Sequence, residues 1–311
     1  MGGGFDRISG HLSSKIQNRM TPRICNFYVT LQCNASCEFC QVWGSSEYQD
    51  ISESGNQINE ILAGLKREGI KDLRVTGGEP LLREDLPEIM KRAKELGFKI
   101  ELTTNGILYA EKARALNKIF DKIYFSLDYP VAADHDRSRG TECFHLVMQN
   151  LKLAQELGEK VMINYTLTRD SVRFLPEMVD LANKLKVGIN LNPVYAFFGT
   201  QGFEKNTFSY IRYFAKGKKV FLNLALFEFL KSGGNRVYLP RCRASETVIT
   251  LLPDGSRVSP CFYNPKGKQG REDICSSCMR WPYMLPSFTH GFDKYFWLNL
   301  YSESMKRRKG L

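Results

Sequence analysis

Three cysteines fall inside eight positions of the stretch TLQCNASCEFCQVW, residues 30–43. The spacing is uneven, with three residues between Cys33 and Cys37 and two between Cys37 and Cys40. Three thiolates suit a cubane iron–sulfur cluster that leaves one iron open to another ligand, or a zinc site completed by a distant fourth cysteine. Four more cysteines, Cys242, Cys261, Cys275 and Cys278, lie far downstream and supply enough thiolates for a zinc site or a fully ligated cluster. Taken alone, the CSSC pair at 275–278 favours zinc. The remaining two, Cys25 and Cys143, stand apart and read as small buried hydrophobes.

The segments that must position these groups repeat a beat. Six strand-like runs, rich in β-branched and aromatic residues, occupy 24–32, 72–76, 99–104, 122–128, 160–168 and 188–194. Between them lie stretches whose apolar residues recur at three- and four-residue steps, several closed by glycine. Alternating β and α units predict an α/β fold, a parallel sheet with right-handed crossovers, built as an open sheet or partial barrel. Functional groups in such folds collect at the C-terminal strand ends. Cys33 follows the first run, Gly77-Gly78-Glu79-Pro80 the second and Asn105-Gly106 the third. Ser126 and Asp128 end the fourth, Asn192 and Pro193 the sixth.

Residues 195–240 read as a connector containing a helix around 207–231. Residues 246–262 read as a β-hairpin turning at Asp254-Gly255, framed by the second cysteine group. The tail from 281 is aromatic-rich and ends KRRKGL.

Net charge is +11, which attracts anions without naming them. No stretch reaches the ~18 apolar residues of a membrane span, and the first residues lack an apolar signal core. A cytoplasmic protein is expected, and cysteines in that compartment argue for metal or redox chemistry rather than disulfides.

With the triplet after the first strand and GGEP after the second, the chain resembles the radical S-adenosylmethionine (SAM) superfamily. CNASCEFC matches its signature of three spaced cysteines with an aromatic residue before the third. The resemblance covers about residues 23–194 and implies a partial (β/α)6 TIM-like barrel. It implies that Cys33, Cys37 and Cys40 hold a 4Fe–4S cluster whose fourth iron is chelated by SAM. Phe39 would lie near the adenine, Gly77 and Gly78 would let backbone approach the methionine moiety, and Glu79 would accept a hydrogen bond from the SAM ammonium. Asn105, Ser126 and Asp128 would contact SAM or its ribose. The implied chemistry is reductive cleavage of SAM to methionine and a 5′-deoxyadenosyl radical that attacks the substrate, with flavodoxin or ferredoxin as a low-potential electron donor.

Residues 242–278 are similar to the SPASM and twitch extensions of that superfamily. They depart from the full SPASM pattern, with four cysteines where it carries seven, and Gly255 one residue too far from Cys261. The resemblance implies one auxiliary 4Fe–4S cluster in a cysteine-rich β-hairpin domain over 241–280, zinc being the alternative. The flanking divisions are an N-terminal extension over 1–22, the connector over 195–240 and a tail over 281–311.

A small-molecule or lipid substrate is expected ahead of a peptide, because only ~22 residues precede the first strand, too few for a fused peptide-recognition domain. In HDRSRG, His135, Arg137 and Arg139 could meet an anionic substrate, or form a solvated charged loop. Tail aromatics followed by Lys306-Arg307-Arg308-Lys309 could touch an anionic membrane peripherally, or pack on the barrel. Alternatives are a peptide-modifying radical SAM maturase, a non-catalytic iron–sulfur electron carrier and a zinc-binding protein. No stacking-aromatic RNA motif is evident, so no nucleic-acid partner is expected.

Overall fold

A computed structural model describes residues 23–40, 55–193, 203–234, 242–258, 285–289 and 293–311. The extension over 1–22, Cys261, Cys275, Cys278 and the aromatic residues Trp281, Tyr283 and Phe292 lie outside the described residues.

Eight strands form one sheet: β1 (Ile24–Tyr28), β2 (Asp72–Thr76), β3 (Lys99–Thr104), β4 (Lys122–Ser126), β5 (Val161–Leu167), β6 (Gly188–Pro193), β7 (Val220–Phe221) and β8 (Val248–Leu251). Their order is β7-β6-β5-β4-β3-β2-β1-β8, and every neighbouring pair is parallel. The central six are the strands expected from the sequence, in chain order, as in a partial TIM-like barrel. The crossovers carry α1 (Gly55–Arg67), α2 (Leu86–Glu95), α3 (Tyr109–Leu116), α4 (Ala132–Arg139), α5 (Phe144–Glu156) and α6 (Leu175–Lys184).

The two faces of the sheet differ in chemistry because side chains alternate along each strand. Phe27, Leu73, Val75, Ile100, Leu102, Ile123, Phe125, Ile163, Tyr165, Ile189 and Leu191 are buried in one core. The apolar stripes of the helices close over them, Ile58, Leu62 and Leu65 from α1 and Val147, Leu151 and Ala154 from α5. Most alternate positions are polar, Asn26, Arg74, Glu101, Thr103, Ser126, Asn164, Thr166, Asn190 and Asn192, with Tyr124 and Met162 apolar among them. A parallel sheet buried on both faces reads as near-continuous apolar runs. Here only the helix-covered face does, so the other face lines a polar interior.

The connector contains two helices rather than one around 207–231, α7 (Lys205–Phe214) and α8 (Leu224–Lys231), with β7 between them. Asn223 caps α8 by accepting from the backbone N–H of Leu226 at 3.0 Å, which fixes its start. The hairpin turn falls where the sequence places it. Leu252 donates to the Ser256 carbonyl at 3.0 Å, Gly255 donates back to Leu252 at 2.9 Å, and Gly255 sits at φ 72°. The first strand of the hairpin does not stand apart, however. As β8, after the short helical turn α9 (Ala244–Thr247), it pairs with β1 and covers an edge that would otherwise present unpaired backbone groups.

The tail forms α10 (Lys294–Arg308), which packs on α8. Phe288 and Tyr295 stack at 5.5 Å and meet Phe229 of α8. Two of the four terminal cations turn inward. Lys306 Nζ lies 4.5 Å from the Phe221 ring centroid, and Lys309 Nζ donates to the carbonyls of Ala215, Gly217 and Val220 at 3.1, 2.9 and 2.8 Å. Arg307 and Arg308 stay exposed, as do Trp297, Leu300 and Tyr301. No helix among the described residues is long and apolar enough to cross a membrane.

Candidate active site

The backbone just past β1 is held by the turn that follows β2. Gly78 N–H donates to the Thr30 carbonyl at 2.9 Å and Glu79 N–H to Gln32 at 2.8 Å. A Cβ on Gly77 would stand 2.1 Å from the Thr30 oxygen, and one on Gly78 2.1 Å from the Gln32 oxygen. No side chain fits against backbone at that distance, so the glycine pair is what lets the two strand tops touch.

The cysteine loop is gripped from its other side by α4. Ser36 N–H donates to the Arg139 carbonyl at 2.9 Å and Glu38 N–H to the Ser138 carbonyl at 3.1 Å. These acceptors belong to the last turn of the helix, whose carbonyls have no partner within it. Ser138 Oγ adds a bond to Glu38 Oε1 at 2.9 Å.

Cys33, Cys37 and Cys40 line one cleft with Phe39, Thr76, Gly78, Glu79, Asn105, Ser126 and Arg139, enclosing about 540 Å³ of space partly open to solvent. Among the described residues, no three His, Cys, Asp or Glu side chains converge closely enough to hold one metal ion. Burial pushes the Cys33 thiol up to about 11. It also raises Cys37, against the opposing pull of the Arg139 guanidinium. Metal ligation must therefore displace protons from these sulfurs.

Glu79 is buried, and three protein donors serve it. Thr104 Oγ1 (2.6 Å) and Leu81 N–H (3.0 Å) donate to Oε1, and Asn105 N–H (2.7 Å) to Oε2. Burial raises its pKa while these donors and Arg139 oppose the rise. A carboxylate offers about four acceptor positions, so about one remains, on Oε2. Asn105 Nδ2 then donates to Asn34 Oδ1 at 2.7 Å, tying the cysteine loop to the top of β3. Asn34 and Thr104 escaped the sequence reading because asparagine after cysteine and threonine in a strand are unremarkable until the fold brings them together.

Arg139 is buried behind the cysteine loop. Its Nη1 donates to Cys37 Sγ at 3.5 Å, its Nη2 pairs with Asp128, and its guanidinium lies 5.4 Å from the Phe39 ring centroid. Asp128 also accepts from Thr166 N–H at 2.8 Å. Asp128 N–H donates to His135 Nδ1 at 3.3 Å, and His135 Nε2 has no partner among the described residues. Of the HDRSRG side chains, Arg139 thus reaches the cleft and His135 lies behind it. Arg137 is exposed and pairs with Asp134 at 2.6 Å. Cys242 is half-buried at the edge of the main core. Cys25 and Cys143 are buried, as expected.

Burial, with Arg139 nearby, pushes His135 from an ordinary value of 6.5 down to about 4. Between those values the unfolded chain binds the proton and the folded chain does not, so stability rises with pH there. Iron-free protein should lose stability as pH falls from about 6.5 toward about 4. His135→Gln should flatten that loss, read as the urea midpoint at pH about 7 against about 4.5. Equal losses in both proteins would assign the effect to other groups.

A parallel α/β sheet whose strand tops present three spaced thiols, a Gly-Gly-Glu turn and a polar interior defines a class of cofactor-dependent enzymes. The family model described as Radical SAM superfamily matches residues 27–182, and the chain belongs to that superfamily of enzymes, which use SAM and a 4Fe–4S cluster. The chain is 27% identical over 261 residues to a Sulfurisphaera tokodaii protein named "Probable GTP 3',8-cyclase", covering 76% of this chain and 79% of that one. A Methanococcus aeolicus protein of the same name is 28% identical over 254 residues, covering 75% and 83%. Streptococcus suis SuiB bound to S-adenosylmethionine shares the fold, with TM-score 0.65 and 19% identity over 82% of this chain and 64% of that one.

Proposed function

We propose that Cys33, Cys37 and Cys40 hold the 4Fe–4S cluster and that the enzyme cleaves SAM to initiate radical chemistry on a small molecule. The observation that carries this is one cleft in which three thiols, none of them in a disulfide, face Gly78, Glu79, Asn105 and Ser126. When bound, the reduced cluster supplies the electron that breaks the S–C5′ bond of SAM. The protein's own groups bind and orient. Glu79 has one acceptor position left for the SAM ammonium, and Arg139 presents a cation beside Cys37 for the carboxylate. Phe39 offers a ring face to the adenine. Ser126 lines the wall for the ribose, and Asp128 acts by holding Arg139. An electron carrier would need no such cleft.

A small anionic substrate is supported by Arg74, half-buried on the polar face two residues below Thr76. Among the described residues its side chain makes no hydrogen bond or ion pair. The cyclase relatives make GTP the first compound to assay. Anaerobic protein given SAM, dithionite and GTP should form 5′-deoxyadenosine. Its absence from reconstituted protein, with and without GTP, would favour the electron-carrier reading. A peptide substrate is the second choice.

Cys242, Cys261, Cys275 and Cys278 are assigned to one auxiliary 4Fe–4S cluster that exchanges electrons with the substrate radical. Reconstituted protein should hold about eight irons, and about four irons with one zinc would overturn this assignment alone. Cys275→Ala should keep some SAM cleavage while ending product formation. Flavodoxin or ferredoxin in the cytoplasm is the assigned reductant. The exposed Trp297, Leu300 and Tyr301 beside Arg307 and Arg308 favour a peripheral contact with anionic lipid, tested by co-sedimentation with anionic vesicles.

A further inference from the structure

The thiol-lined cleft is walled by the tops of β1 to β4. The polar face continues past Ser126 across β5 and β6, where no function has yet been placed. Ser126 pairs in register with Asn164, Asn164 with Asn190, and Thr166 with Asn192. Adjacent strands lie about 4.8 Å apart, so Asn164 and Asn190 stand one and two strand spacings beyond a residue of the cleft.

The three carboxamides bond to one another. Asn190 Nδ2 donates to Asn164 Oδ1 at 3.2 Å and to Asn192 Oδ1 at 3.2 Å, and Asn192 Nδ2 also donates to Asn164 Oδ1. Among the described residues, Asn164 Nδ2 and Asn190 Oδ1 are left without partners. The group therefore fixes its own orientation and still offers a free donor beside a free acceptor. All three residues are half-buried, within reach of a ligand. Asparagine is depleted in strands, so three on two neighbouring strands have no explanation in sheet formation.

The surroundings narrow the ligand. Tyr124 and Met162, in register with each other below the asparagine row, and Phe221, in register with Asn190, form an apolar floor closed by Leu311, with Lys306 Nζ at its edge, 3.5 Å from Tyr124 Oη and 4.5 Å from the Phe221 ring centroid. No charged side chain hydrogen-bonds to the asparagines. An apolar floor beneath an uncharged donor–acceptor wall suits a flat ring with a polar edge, the pattern that a carboxamide reads on a base. The geometry points to Asn164, Asn190 and Asn192 as the wall that reads a nucleobase-type substrate edge in this enzyme, an assignment that rests on the radical SAM reading for its place beside the cleft.

The test uses full-length reconstituted protein saturated with SAM, with guanosine, adenosine, cytidine and uridine as probes in anaerobic equilibrium dialysis. Wild type should bind at least one of the four. Asn164→Leu and Asn190→Leu should each weaken that binding about tenfold or more, the loss expected when a buried polar edge loses its partner. SAM affinity should change little. Asn190→Asp keeps the residue's size, and it decides the matter if a leucine variant fails to fold by circular dichroism. Binding of no nucleoside by wild type, or equal binding by the folded variants, would overturn the assignment. Failure of the radical SAM reading would appear separately, as no 5′-deoxyadenosine from wild type whatever the nucleoside result.

Discussion

Cys37→Ala should reduce 5′-deoxyadenosine formation to the level seen without enzyme. The thiol is buried in the cleft wall, and it is the cysteine to which Arg139 Nη1 donates. Alanine offers no metal ligand, and a cubane held by two of its three thiolates should be lost on reconstitution or purification. The variant should therefore hold about four fewer irons than wild type. Folding itself should survive, because the replaced side chain is small and the loop keeps its backbone bonds to Arg139 and Ser138. Anaerobic assay with SAM and dithionite, iron analysis and circular dichroism read the three expectations. Retention of SAM cleavage would remove Cys37 from the cluster.

Arg139→Leu should produce the largest loss of stability. Asp128 is 1% exposed and Arg139 6%, and they are each other's ion-pair partner. Removing the cation leaves a buried carboxylate supported by Thr166 N–H at one oxygen. Breaking such a pair from one side costs about 3–5 kcal/mol, whereas removing both charges costs far less. Asp128→Asn added to Arg139→Leu should therefore recover much of the loss in urea unfolding, and absence of recovery would show that the pair is not its source. A second readout is electronic. Hydrogen bonds to the sulfurs help to set a cluster's potential. Without the guanidinium at Cys37 the more negative reduced state is less stabilised, so the midpoint potential should fall. Arg139→Lys should lie between the two.

Much of the sheet was legible along the chain. The runs at 72–76 and 99–104 coincide with β2 and β3, and the other four central strands fall within the expected runs. Period-2 runs rich in β-branched residues, separated by period-3.6 stretches, leave little choice of class. The two edge strands were not legible as members of the sheet. β7 has only two residues, too short for any period. β8 reads correctly as a strand, but its partner β1 lies more than two hundred residues away, and a local pattern carries no such address.

The site divides in the same way. The residue types and spacing of Cys33, Cys37 and Cys40 left a cluster and a zinc site both open, and it was their resemblance, with Gly77-Gly78-Glu79, to the radical SAM signature that gave the class of chemistry, because such a motif is a local pattern that neighbouring residues carry. Only the tertiary structure decided that Glu79 serves Thr104 and Asn105, that Asn34 reaches Asn105, that Arg139 is buried against Cys37 while Arg137 is not, and that Lys306 and Lys309 turn inward. Arginines two residues apart have the same charge in a sequence, and they differ here because one faces a buried carboxylate and a sulfur while the other faces water. Those differences are set by desolvation and by partners up to a hundred residues distant, which exist only once the chain has folded.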